Sequence, residues 1–210
     1  MNNARRGLLL SVLLVGSLAG AGSVALAQTP PPVPPTRLRG TVAKLDGAVL
    51  SVVTREGPTV MVTLPEGFQP TALKRLSMDA ITPNSFVATV AGPAADGTLQ
   101  SSYVLIFPEA LRGTGEGHYD WDLAPGTSMT NATVTSMVQA SAGRKLTMVY
   151  KGTPIDIVVP PDAPILSSIP ASRDDLKPGA RVFMTAAKTG EASYTALRVT
   201  VAKDGVNPPQ

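Results

Sequence analysis

Two stretches of the chain repeat one another at an offset of 95 residues. Val60, Val62, Leu64 and Pro65 return as Ile155, Ile157, Val159 and Pro160. Asp79 to Asn84 aligns with Asp174 to Gly179, Val87 and Thr89 with Val182 and Met184, and Val104 and Ile106 with Val199 and Val201. An internal repeat limits the fold more than any other feature of a sequence, because it says that one module was duplicated and must be read twice.

The module reads as β-structure. Thr41–Leu45 is a first strand, Asp46-Gly47 signals a two-residue hairpin turn, and Ala48–Thr54 is the returning strand. After a turn at Arg55–Pro58, Thr59–Leu64 alternates, with Val60, Val62 and Leu64 on one face and Thr59, Met61 and Thr63 on the other. That period of two marks a half-buried strand. Ile155, Ile157 and Val159 keep the same face in the second copy, as they must, since a one-residue slip would turn the apolar set to water. Leu73, Leu76 and Ala80 predict a short helix within Pro70–Ala80, and its counterpart Ile165–Leu176, which contains Pro170, predicts turns or a single helical turn. Two further strands follow in each copy, Phe86–Ala91 and Thr98–Phe107, then Val182–Ala187 and Ser193–Val201. Three strands, a short helical segment and two strands is the order of the OB barrel. The expected fold is therefore all-β, two tandem OB-like five-stranded barrels spanning 38–108 and 131–203, with a split β-sandwich as the alternative.

The ends carry different signals. Arg5 and Arg6, the apolar run Leu8–Leu18 and the small residues Ala25-Leu26-Ala27 predict a signal peptide over 1–27, hence a periplasmic or secreted protein. No later segment is apolar for long enough to span a bilayer, so after cleavage the protein is not expected to be an integral membrane protein. A Pro-rich linker over 28–37, with Pro at 30, 31, 32, 34 and 35, predicts an extended spacer, and 204–210 predicts a flexible tail. Cleavage removes two arginines and no acid, taking the formal charge from +3 to near neutrality. With few aromatic residues as well, the chain lacks the basic, stacking groove that nucleic acid requires. Cysteine is absent, which excludes thiol chemistry, a lipid-bearing Cys anchor and Cys-ligated metals.

Gly40-Thr41-Val42, Asp46-Gly47, Leu50-Ser51-Val52, Leu64-Pro65, Pro83 and Gly97-Thr98-Leu99 together resemble the exported bacterial DUF5666-type β-barrel domains. Gly113-Thr114-Gly115-Glu116-Gly117-His118 with Trp121-Asp122 and Met129–Val134 resembles a group of exported proteobacterial proteins sometimes called "metal ABC transporter permease". A single N-terminal apolar segment does not suit a permease. The resemblance implies a periplasmic accessory role, with a periplasmic protein or envelope component as partner, and no established activity.

Glu109–Asn131 has no counterpart in the repeat, and the connector 109–130 holds the only His, the only Trp and the densest acid group. Glu116, His118, Asp120 and Asp122 are spaced by two and would project to one side of an extended strand, opposite Tyr119 and Trp121. Imidazole with carboxylates suits a divalent metal such as Zn, Ni or Mn. Against that, same-side positions lie roughly 6.5–7 Å apart, so about two of the four could chelate together. Tyr119 and Trp121 are the candidates for partner contact, or for packing between the barrels. No Gly-x-Ser-x-Gly accompanies His118, and no catalytic residue is assigned; the reading is a non-catalytic binding or assembly protein needing no cofactor, with a metal-handling accessory as the alternative.

Overall fold

The structure, a computed structural model, describes residues 34–209. The expected signal peptide, most of the Pro-rich linker and Gln210 lie outside the described residues. The described chain is all-β: thirteen strands, three single-turn 3-10 segments and no α-helix. No helix among these residues is long and apolar enough to cross a membrane.

Alternating apolar residues and short polar turns make the first three strands, β1 (Thr36–Asp46), β2 (Val49–Thr54) and β3 (Thr59–Thr63). Gly47 opens the β1–β2 turn with φ 54°, a conformation that glycine adopts without steric cost. The strands pair in antiparallel order, Val42 facing Val52 and Val52 facing Val60. The last two strands of the chain, β12 (Arg181–Lys188) and β13 (Ser193–Val201), complete the ring. β12 pairs with β1, β13 with β12, and β3 runs parallel to β13 through Met61↔Ser193, Val62↔Tyr194 and Thr63↔Thr195. This closed five-stranded barrel encloses Val42, Leu50, Val52, Val62, Val182, Met184 and Val199, each at most 2% exposed.

The ring thus takes three strands from the first repeat and two from the second. The expected boundaries of 38–108 and 131–203, with each copy closing on itself, do not follow the hydrogen bonding. The remaining strands show the complementary choice. β5 (Phe86–Pro93) and β6 (Leu99–Ile106) join β8 (Ser128–Ala140), β9 (Gly143–Tyr150) and β10 (Thr153–Val159), in the order β10-β9-β8-β5-β6. A single parallel pair, Val158↔Gln100, links β10 back to β6, and it is the repeat equivalent of Thr63↔Thr195. Val87, Val104, Val134, Leu146, Met148 and Ile157 form the core of this second group, all wholly buried.

The segments expected to be helical are where the chain crosses over. Thr71–Leu76 (β4) and Ile165–Pro170 (β11) are strands that pair antiparallel, and only Met78–Ala80 and Arg173–Asp175 turn as 3-10 segments. In that ladder Leu73 faces Ser168, its own repeat equivalent, so a pseudo-twofold axis passes through the pair. The physical reason for strand over helix lies in where β4 sends its side chains. Ala72 enters the first core, Leu76 packs against the second, and Leu73 joins a third cluster with Val90, Tyr103, Met129 and Leu166. The spacing of Leu73 and Leu76 arises here from two separate destinations, not from one helix face. The tail is also more ordered than expected: Lys203 and Val206 exchange backbone hydrogen bonds, Val206 packs on the third cluster and Pro208 is buried.

Candidate functional site

The unrepeated connector opens with a 3-10 turn at Glu109–Leu111 and then forms β7 (Gly117–Asp120), which pairs antiparallel with β8. Its register, His118↔Thr130 and Asp120↔Ser128, is held by buried polar groups beneath it. Asn131 donates from Nδ2 to the Thr114 carbonyl at 3.1 Å and to the Tyr119 hydroxyl at 3.4 Å. The positive φ of Gly115 (61°) brings the connector so close to Asn131 that a Cβ there would lie 2.9 Å from Nδ2.

The four residues singled out for metal binding go to different places, because β7 is only four residues long and the chain leaves the strand at Trp121. Glu116 Oε1 accepts the backbone N–H of Lys151 at 2.8 Å, holding the β9–β10 turn. His118 places Nδ1 2.8 Å from Thr130 Oγ1 and stacks on Tyr150 with ring centroids 6.0 Å apart. Asp120 is exposed, and among the described residues no hydrogen bond or ion pair reaches its carboxylate. Asp122 swings to the first barrel, where it accepts from Arg39 Nη1 at 2.9 Å and Nη2 at 3.0 Å. His118 and Asp120 share one wall of a concavity, and among the described residues no group of three or more His, Asp or Glu converges as a metal cage.

Trp121 joins the connector to the first barrel. The Arg37 guanidinium lies 3.9 Å from its ring centroid, Phe183 of β12 is 6.3 Å away and Tyr119 is 6.2 Å away. Tyr119 itself is exposed. Below Trp121, the Arg39 side chain is only 3% exposed, with Phe183 4.9 Å from its guanidinium. A buried cation needs a carboxylate, and Asp122 supplies a two-pronged one. Partial burial pushes the Asp122 carboxyl up, but the hydrogen bonds and charge of Arg39, with Arg37 adding its charge, outweigh this and hold it below the usual carboxylate range. Arg39 Nε and Asn131 Oδ1 remain buried without a hydrogen bond among the described residues.

The turn following β7 borders a concavity of about 930 Å³, lined by His118, Asp120, Trp121 and Asp122 together with Arg55, Pro93 and Leu99. Arg55 reaches the connector through the carbonyls of Asp122 and Leu123 at 3.3 and 3.4 Å. The wall is mixed: one cation, two carboxylates (one already paired), an imidazole and several apolar faces. Such a surface suits contact with another molecule's mixed surface. The hydroxyl beside His118 belongs to Thr130, which is wholly buried and out of reach of a substrate.

Arg37, Arg39 and Arg55 were not among the sequence-level candidates. The available signal was Arg37-x-Arg39 at strand spacing on either side of Leu38, two cations on one face of the first strand. Comparison of the chain with protein-family models, with curated proteins and with solved structures finds no match.

Proposed function

We propose that the protein is an exported, non-catalytic binding or assembly module of the bacterial envelope, built from two OB-like five-stranded barrels that exchange strands. The second group of strands counts as a barrel in this reading because its ring order, its core and its closing pair Val158↔Gln100 reproduce those of the first. The contact surface is the concavity beneath the connector. One observation carries this assignment: the connector, which has no counterpart in the repeat, places His118, Asp120 and Trp121 around an open space of about 930 Å³. Sites grafted onto a symmetric scaffold are where function resides.

Site-specific photocrosslinking tests it. A photoreactive residue at exposed Ala124, on the concavity wall, should give an adduct in envelope extract that the same residue at exposed Val138 does not. The adduct should weaken with Asp120→Lys. Identical adducts from both positions, or insensitivity to Asp120→Lys, would move the surface elsewhere. A divalent metal is the second reading, favoured by the free Asp120 carboxylate and the His118 ring on one wall. Calorimetric titration with Zn, Ni and Mn decides it, since metal heat must disappear with His118→Ala.

A further inference from the structure

The repeat reveals a strand position that is filled in one half and open in the other. Val134 of β8 and Val42 of β1 are equivalent: each exchanges two backbone hydrogen bonds with the turn before β5 or β12, at 2.8–2.9 Å. Backbone groups alternate sides along a strand. Met129 and Asn131 of β8 therefore face its other edge, as do Arg37 and Arg39 of β1, and the Arg39 carbonyl accepts Arg55 N–H there at 2.7 Å. On β8 this edge is taken first by β9, through Thr133↔Val149, and then by β7 from Gly117↔Asn131 to Asp120↔Ser128. On β1 it is taken by β2 as far as Gly40↔Thr54, and along Thr36–Leu38 no strand among the described residues pairs with it.

We propose that this edge of β1, at Thr36–Leu38, receives an extended strand from a partner protein, bearing an acidic side chain opposite Arg37. β7 shows what the position takes: four residues, antiparallel. The chain's own upstream residues supply few donors, because positions 30, 31, 32, 34 and 35 are proline and proline has no N–H. A second copy of this chain is disfavoured too. Antiparallel pairing of two such edges about their centre sets Arg37 against Arg37, and like charges directly opposite are destabilising. Arg37 is one-third exposed and lies 3.9 Å from Asp122, so its cation is positioned but not buried. Strand addition of this kind draws affinity from main-chain hydrogen bonds and selectivity from the flanking side chains. The inference concerns a different surface from the connector concavity and stands without it.

Amide hydrogen exchange by NMR provides the test, because Arg37 and Met129 are matched positions with the edge open and filled. In the free full-length protein the Arg37 amide should exchange at least about tenfold faster than that of Met129. A chain in which residues 25–35 are replaced by a second copy of Gly117–Thr127 should slow Arg37 to the Met129 rate. Adding Tyr119→Pro in the grafted copy alone should cancel that gain while the Val52 and Met148 amides stay protected, showing an intact fold. A synthetic peptide with the sequence of residues 116–123 carrying Tyr119→Glu, which sets a carboxylate opposite Arg37, should at millimolar concentration slow Arg37 exchange in the natural chain and not in the grafted one. Equal protection of Arg37 and Met129 in the free protein, or a graft that leaves Arg37 exchange unchanged, overturns the proposal.

Discussion

Cutting the chain at the exposed connector turn Ala124–Gly126 should leave one folded particle, because neither piece holds a complete ring. The piece ending at Pro125 has β1–β3 without β12 and β13; the piece starting at Gly126 has the converse. A protease site introduced between Pro125 and Gly126 makes the cut, at a position where Gly126 has open space around it. Before cleavage the halves find each other at the millimolar effective concentration of a short linker. After cleavage at 10 μM protein, the cost of association is about 2.7 kcal/mol, the free-energy equivalent of that hundredfold dilution. Each further tenfold dilution should remove ~1.4 kcal/mol and lower the melting temperature by roughly 3–6 °C, while the uncut chain shows no such dependence. Size-exclusion chromatography of the cut protein should give a single peak at the uncut position, with two bands only after denaturation. If the pieces separate without denaturant and each still unfolds cooperatively, every half closes its own barrel and the strand exchange is wrong.

Three other outcomes follow from local geometry. Asp122→Ala strands the Arg39 cation; breaking a buried pair costs about 3–5 kcal/mol, and the half-exposed carboxylate reduces this to roughly 2, so urea denaturation should show Asp122→Ala losing more than Arg39→Met. Since the Asp122 carboxyl lies below its unfolded value of about 3.9, its contribution is complete above that pH and fades as pH falls through the folded value. Asp122→Asn should therefore flatten part of the acid side of the stability curve, and an unchanged acid limb would refute the pairing. Gly40→Ala should cost at least about 2 kcal/mol in the same assay, because its Cβ would sit 2.2 Å from the Val53 carbonyl oxygen, whereas Gly47→Ala meets no neighbour and should cost about 1 for its backbone conformation.

Strand positions and faces were legible because period-two alternation reports burial directly. Val60, Val62 and Leu64 point inward as expected, as do Ile157 and Val159, while Ile155 is only partly buried. The turn chemistry was also readable: Asn84 adopts φ 70° where its repeat equivalent is Gly179 at φ 85°, so the two copies meet one backbone demand with different residues. What could not be read was which copy a strand pairs with. Val62 carries the same apolar information whether its neighbour is Tyr194 or a residue of β6, since both repeats present similar edges. β4 failed as a helix for a related reason, its leucines belonging to different clusters. In the connector, composition identified an unusual segment, but the departure of the chain from β7 at Trp121 scattered Glu116, His118, Asp120 and Asp122. The partner that reorganises the segment, Arg39, lies 83 positions from Asp122, beyond any local spacing rule.

The parallel pairing of β3 with β13 also sets a schedule for synthesis. Thr63 must wait for Thr195, about 130 residues later, before the first ring can close. At ~5–20 residues per second that is roughly 7–26 s during which β1–β3 form a sheet fragment with both edges open and Leu50, Val52 and Val62 uncovered. An emerging chain with this wiring gains little from folding its first half early. It reaches its stable state only when the last strand arrives, which makes the final residues, β13 above all, the step that commits the whole molecule.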